Sequence, residues 1–182
     1  MNNLYIVNYR HESCLPFQSI TRLPEREAYT KANELSCRHT GISNVRFADF
    51  HNYYPRRIKT EKWLYHQFLD MGGEPETPHP LYFVLQGNQY LKNWFENGLE
   101  TKIYLESISA KHISFTFGDS CAEMDNPKRK PLFSKTELYN LVREHGDVER
   151  FLANISLQYT YIEAQLWSDD YVTKINEPNF PT

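Results

Sequence analysis

Tyr159-Thr-Tyr-Ile-Glu-Ala-Gln-Leu-Trp167, followed by Ser168-Asp-Asp-Tyr-Val172, decides how the chain is read. Its polar and apolar residues alternate with period two, the mark of a β-strand. The alternation sets Tyr161, Glu163, Gln165 and Trp167 on one face and sends Ile162, Ala164 and Leu166 to a buried one. A carboxylate beside an amide, flanked by aromatics, suits neither a plain core face nor a plain solvent face. That face either meets water or lines a cleft.

Outward from this strand, two patterns interleave. Leu4 to Tyr9, Leu81 to Leu85, Thr101 to Glu106 and His112 to Phe117 read as further strands, the last stopping at Gly118-Asp119-Ser120. Pro24 opens a helix through about Ser36, with Ala28, Ala32 and Leu35 at helical spacing. Thr40 to Phe50 reads as a loop or irregular strand. A second helix, led in by Asn52-Tyr-Tyr-Pro-Arg-Arg57 with Thr60 near its start, carries Leu64, Phe68 and Met71 on one face and ends at Gly72-Gly73. A third has Tyr90, Leu91, Trp94 and Phe95 facing inward as core. Ser134-Lys-Thr-Glu137 is a capping box for a fourth helix ending at His145-Gly146. Asp147 opens a fifth, with Val148, Phe151, Leu152 and Ile155 buried. The mixture predicts an α+β fold, a mixed or antiparallel sheet with about five helices packed on it. The whole chain, 1–182, reads as one domain, with 176–182 as a frayed tail.

Composition narrows the classes. Hydrophobic residues are 40% and aromatics 15% of the 182 residues, which argues against disorder. Net charge is −3, so any nucleic-acid contact would need a local basic patch. Cys14, Cys37 and Cys121 are odd in number and widely spaced, against a disulfide framework or structural zinc. No leader pattern and no apolar span is present, and the expectation is a cytoplasmic protein without membrane contact. Phosphate-cradling glycine loops and nucleophile elbows are missing; with no His-Glu-x-x-His and seven scattered histidines, no metal site is expected.

Three other stretches carry chemistry-bearing residues. Tyr53-Tyr-Pro-Arg-Arg-Ile-Lys59 sets cations beside aromatics and could grip phosphate and stack a base; the plainer reading pairs the arginines with Glu61 or Asp70 on a solvated helix start. His79, held between Pro78 and Pro80, is either a stiffly placed imidazole at a cleft edge or an ordinary turn residue. Gly118-Asp119-Ser120 either meets a ligand or bonds local amides.

Leu81-Tyr-Phe-Val-Leu85 with Tyr90-Leu-Lys-Asn-Trp94, Lys102 to Ile108, and Glu163-Ala-Gln165 followed by Asp170 to Ile175 together resemble the ADP-ribosyltransferase-like family, over about half the chain. The resemblance implies an NAD site. Glu163 and Gln165 would contact the nicotinamide ribose as the catalytic pair and Tyr82 would stack on the ring. Tyr90 would head a helix over nicotinamide, Arg10 would meet phosphate, and His79 would stand at the cleft edge. The family's catalytic glutamate falls on Gln165, which offers a hydrogen bond but no charge. Glu163 shares its face about 6 to 7 Å along the strand and could replace it. Two other readings are a protein-binding module with a Tyr-rich surface, and a nuclease or nucleic-acid binder. The last would use Arg56, Arg57, Lys59 and the Lys128-Arg-Lys130 loop, provided these clusters meet in space.

Overall fold

The structure, a computed structural model, describes residues 3–38, 41 and 45–176. The described strands are β1 (Tyr5–Arg10), β2 (Leu81–Leu85), β3 (Leu99–Tyr104), β4 (Ile113–Phe117), β5 (Phe133–Ser134) and β6 (Ile162–Leu166). They form one sheet in the order β3-β1-β2-β6-β4-β5, and every neighbouring pair is antiparallel. The helices are α1 (Glu25–Arg38), α2 (Val45–Ala48), α3 (Phe50–Asp70), α4 (Gln89–Trp94), α5 (Lys135–Glu144), α6 (Val148–Ile155) and α7 (Asp170–Asn176). The α+β expectation holds, with an antiparallel sheet.

β6 lies inside the sheet, so both of its faces are covered. Ile162, Ala164 and Leu166 join Phe83, Phe115 and Ile6 in the main core, closed by Leu138 of α5, Val148 and Phe151 of α6 and Val172 of α7. The opposite face lies under α3, where Leu64 and Phe68 pack with Leu132 and Trp167. Phe68 stacks on Trp167 with ring centroids 5.5 Å apart. A smaller cluster ties Ala28 and Ala32 of α1 to Phe50 and Tyr54 at the start of α3.

Several expectations need correction. Val45 to Phe50 is helical, not loop or strand, whereas Thr40 and 42–44 lie outside the described residues. α3 runs through Pro55. Proline's fixed φ suits a helix, and the His51 carbonyl it leaves unpaired lies at an exposed turn where water can reach it. Met71 faces solvent at 38% exposure, since it caps α3 rather than continuing its stripe. Gly72, at φ +81°, then ends the helix in a Schellman pattern, its N–H and that of Gly73 donating to Leu69 and Phe68 carbonyls. α4 buries none of its residues, because it sits over the edge of a cleft instead of between strands. Asp170 to Asn176 forms a helix, not read from the sequence, and the rest of the expected tail lies outside the described residues. The capping box at Ser134 and Glu137 forms as expected, and Asp147 caps α6.

Candidate active site

The sheet opens where β1 leaves β2. Their ladder holds only at Ile6↔Leu85 and Val7↔Val84, while β1 stays paired with β3 as far as Arg10↔Leu99. Past that point the Asn8 side chain donates to the Tyr82 carbonyl at 2.8 Å, replacing a backbone bond. The gap becomes a cavity of about 1540 Å³. Its floor includes Val7, Val84 and Glu163; α3 contributes Tyr53 and Arg57, α4 contributes Trp94, and Asp119 and Cys121 close one side.

The polar face of β6 is a hydrogen-bonded ladder beneath this floor. Trp167 Nε1 donates to Ser114 Oγ at 2.9 Å, and Ser114 Oγ donates to Gln165 Oε1 at 2.9 Å. The Gln165 amide donates to Thr116 Oγ1 at 3.0 Å and to Glu163 Oε1 at 2.9 Å. Ser120 Oγ donates to the same Glu163 oxygen at 2.5 Å. Both donors therefore hold Oε1, and no described residue bonds Oε2. Burial, then the nearby Asp119 charge, push the Glu163 carboxyl up to about 7, against the pull of Arg57 and of the two hydrogen bonds. The arrangement gives a fixed carboxyl at the cavity wall that changes charge near neutral pH, as an acid–base group requires.

Gly118, at φ +70°, turns the chain after β4 and brings in Asp119 and Ser120. Asp119 Oδ1 accepts from the backbone N–H groups of Cys121 and Ala122 at 2.8 and 3.0 Å, while Oδ2 accepts from the Tyr161 hydroxyl at 3.3 Å. The turn satisfies local amides, as the plainer reading has it, and its Asp119 also lines the cavity. Burial, with Asp119 adding to it, raises the pKa of Tyr161 and keeps its hydroxyl protonated.

A second buried carboxylate, which the sequence reading gave no site role, acts on Arg57 as Glu163 does. Glu61 is fully buried on α3. Its Oε1 accepts from Thr21 Oγ1 at 3.1 Å, Arg57 Nε at 3.1 Å and Tyr82 OH at 3.2 Å, and its Oε2 meets His79 Nδ1 at 2.6 Å. Arg57 also lies over the Tyr82 ring, 3.6 Å from its centroid. Burial opposes the charge on Arg57, but Tyr82, Tyr53, Glu61 and Glu163 outweigh it and raise its pKa. The plainer sequence reading paired Arg57 with Glu61 on a solvated surface; the pair exists but is buried. The missed signal was legible, since Arg57, Glu61, Leu64 and Phe68 share one helical stripe.

The candidate residues divide accordingly. Glu163, Tyr82 and Arg10 line the cavity, and β2 and β6 are directly paired, so one ligand can touch both strands. Gln165 does not reach the cavity: it is fully buried and all its bonds are spent in the ladder, so it orients Glu163 instead of meeting a ligand. Tyr90 is 59% exposed and points away from the cavity wall, because the cavity-facing side of α4 belongs to Leu91 and Trp94. His79 stands behind the wall, held by Glu61. One face of Tyr82 is taken by Arg57, and the residue also packs against the cluster of Leu64, Phe68, Leu132 and Trp167. Arg56 and Lys59 pair with Asp125, at 3.4 and 3.5 Å, at the head of the loop that carries Lys128 to Lys130, whereas Arg57 turns inward to line the cavity.

No three His, Cys, Asp or Glu side chains among the described residues cluster to hold a metal ion, and no described helix is long and apolar enough to cross a membrane. Comparison with models of known protein families, with curated proteins and with solved structures finds no match to this chain.

Proposed function

We propose that this protein binds a nucleotide in the β1/β2 cavity, with NAD as the candidate of choice, and that it transfers ADP-ribose using Glu163. One observation carries the reading. A buried carboxyl titrating near 7, with no described hydrogen bond to its Oε2, lines a large cavity whose wall also carries five arginines. The same placement favours a ligand site over a protein-docking face, since Glu163 stands in a cavity and not on an open sheet.

In this reading the bond between the ribose C1′ and the nicotinamide nitrogen breaks, and its electron pair leaves with nicotinamide. The sugar becomes cationic, and ionised Glu163 stabilises it across a short, dry distance. The acceptor then attacks C1′ with its lone pair, and its proton passes to solvent. Gln165 and Ser120 aim the carboxylate by holding Oε1. Arg57 keeps Glu163 partly ionised at neutral pH despite its burial. Thr21, Tyr82 and His79 hold Glu61, and Glu61 holds Arg57, so the cation stays in place without substrate.

A thermal-shift titration tests the binding step. NAD and ADP-ribose should raise the melting temperature in a saturable way, by RT ln(1 + [L]/Kd) in stability. No shift with NAD, ADP-ribose or nicotinamide at millimolar concentration would remove the nucleotide from the account.

A further inference from the structure

Arg46, on α2, is held among aromatic rings and has no anionic partner. Its guanidinium carbon lies 4.9 Å from the Phe47 ring centroid, 5.2 Å from Trp94, 5.8 Å from Phe95 and 6.0 Å from Tyr53. Ring faces attract a cation and fix its position. They accept no strong hydrogen bond, however, and Arg46 Nε is buried with no acceptor among the described residues. No described carboxylate pairs with the group.

Three other cations of the cavity are already paired, although Arg22 Nη2 is also buried without an acceptor among the described residues. Arg57 is paired with Glu61 at 3.1 Å, Arg22 with Asp169 at 2.8 Å, and Lys31 with Glu34 at 3.3 Å. Arg26 stands exposed on α1. Arg10 resembles Arg46: it donates only to the Cys14 carbonyl, at 2.7 Å, and its Nε is also buried without an acceptor. Both line the same cavity, and the Arg10 backbone lies against the end of α4 whose rings hold Arg46. A Cβ placed on Gly98 would touch both the Arg10 carbonyl, at 2.7 Å, and Phe95 Cβ, at 2.6 Å, and it is over the Phe95 ring that Arg46 lies. A half-buried cation without a counter-charge is costly. It also binds an anion without first breaking an ion pair. Two guanidinium groups offer forked donors that match phosphate oxygens.

We infer that Arg46, held by the box of Phe47, Tyr53, Trp94 and Phe95, joins Arg10 to form a subsite for a phosphate or pyrophosphate group at the α4 end of the cavity. The inference rests on the nucleotide reading above and adds its specificity-determining residue. Arg10 lies three residues along β1 from Val7, which is in register with the Val84–Glu163 row. That is roughly 10 Å along the strand. A ligand reaching both Glu163 and the subsite is therefore elongated, with its anionic group set apart from the group that meets the carboxyl.

Calorimetric titration of the full chain with inorganic pyrophosphate, and separately with ADP, tests this. Both probes should bind the wild type. Arg46→Gln should weaken each at least tenfold, and Arg46→Lys should fall between, because it keeps charge but loses the fork. Tighter binding of ADP than of pyrophosphate would assign the subsite to a nucleotide; equal binding would assign it to the free anion. Unchanged affinity in Arg46→Gln with an unchanged melting curve, or no binding of either probe to the wild type at millimolar concentration, would overturn the subsite. Its failure separates from that of the reaction. Arg46-dependent pyrophosphate binding in a protein that never cleaves NAD keeps the subsite and removes the reaction. NAD cleavage with the same KM in Arg46→Gln does the reverse.

Discussion

Glu163 is an acid held above its ordinary range, and this links its titration to folding. Its pKa rises from ~4.3 in an unfolded chain to about 7 in the fold. An acid shifted upward contributes its full stabilisation below the unfolded value and loses it as pH climbs through the folded one. Between pH 5 and pH 8 the wild type should therefore lose roughly 2 to 3 kcal/mol through this one group. Glu163→Gln keeps the acceptor for Ser120 and Gln165 but never ionises. Its stability relative to wild type should climb by that amount from pH 5 to pH 8 in urea unfolding. A difference that stays flat across this range would show that the carboxyl titrates elsewhere. Much of this residue was legible in the sequence. Alternation placed Glu163 on a face with Gln165 and Trp167, away from Ile162 and Ala164, and that division stands. What alternation could not give was depth. Period two says which residues share a face, but not whether water, a cleft or a helix covers it, and along this strand the cover changes within two residues. Glu163 meets the cavity, whereas Gln165 and Trp167 lie under α3.

α3 is the element that makes the site possible. One stripe of the helix carries Leu64 and Phe68 onto Trp167, and the same stripe carries Arg57 and Glu61 over Tyr82. The two ends of one face thus do different work, packing at one end and electrostatics at the other. Glu61 accepts every polar hydrogen offered to it, and Arg57 depends on it for its counter-charge. Removing one partner of a buried pair leaves the other uncompensated. Glu61→Ala should therefore destabilise the fold by about 3 to 5 kcal/mol, read by chemical denaturation at pH 7. A loss under about 1 kcal/mol would mean that water replaces the carboxylate and that the pair is not sealed. Taken locally, Pro55 marks the lead-in to a helix and leaves Arg56 and Arg57 ahead of it, which hides this pair. Extending the helical period back through Pro55 puts Arg57 one turn before Glu61 on the buried side. α4 misled for the opposite reason. Its apolar residues sit at helical spacing, but they line a wall instead of filling a core, and spacing alone does not distinguish the two.

At the scale of the molecule, function depends on a sheet that stays paired on one side of β1 and parts on the other. The pairing of β1 with β3 continues to Arg10, while its pairing with β2 stops at Val7, and the cavity occupies the difference. Strand order is a long-range property, and no local pattern revealed that β6 pairs with both β2 and β4 or that β1 peels away. The α+β class was readable from interleaved periods; the cleft was not. In the proposed reaction the reactive form of Glu163 is the carboxylate. Turnover should then rise with pH through about 7 and level off above it, following the charge on that group. The most direct measurement is nicotinamide release from NAD by wild type and by Glu163→Gln at pH 8, with NAD binding checked in both by thermal shift. The account predicts release by the wild type and, in the variant, retained binding with release reduced at least a hundredfold, since the lost charge acts in the transition state. Equal release by the two proteins, or release by neither while NAD binds both, would contradict it.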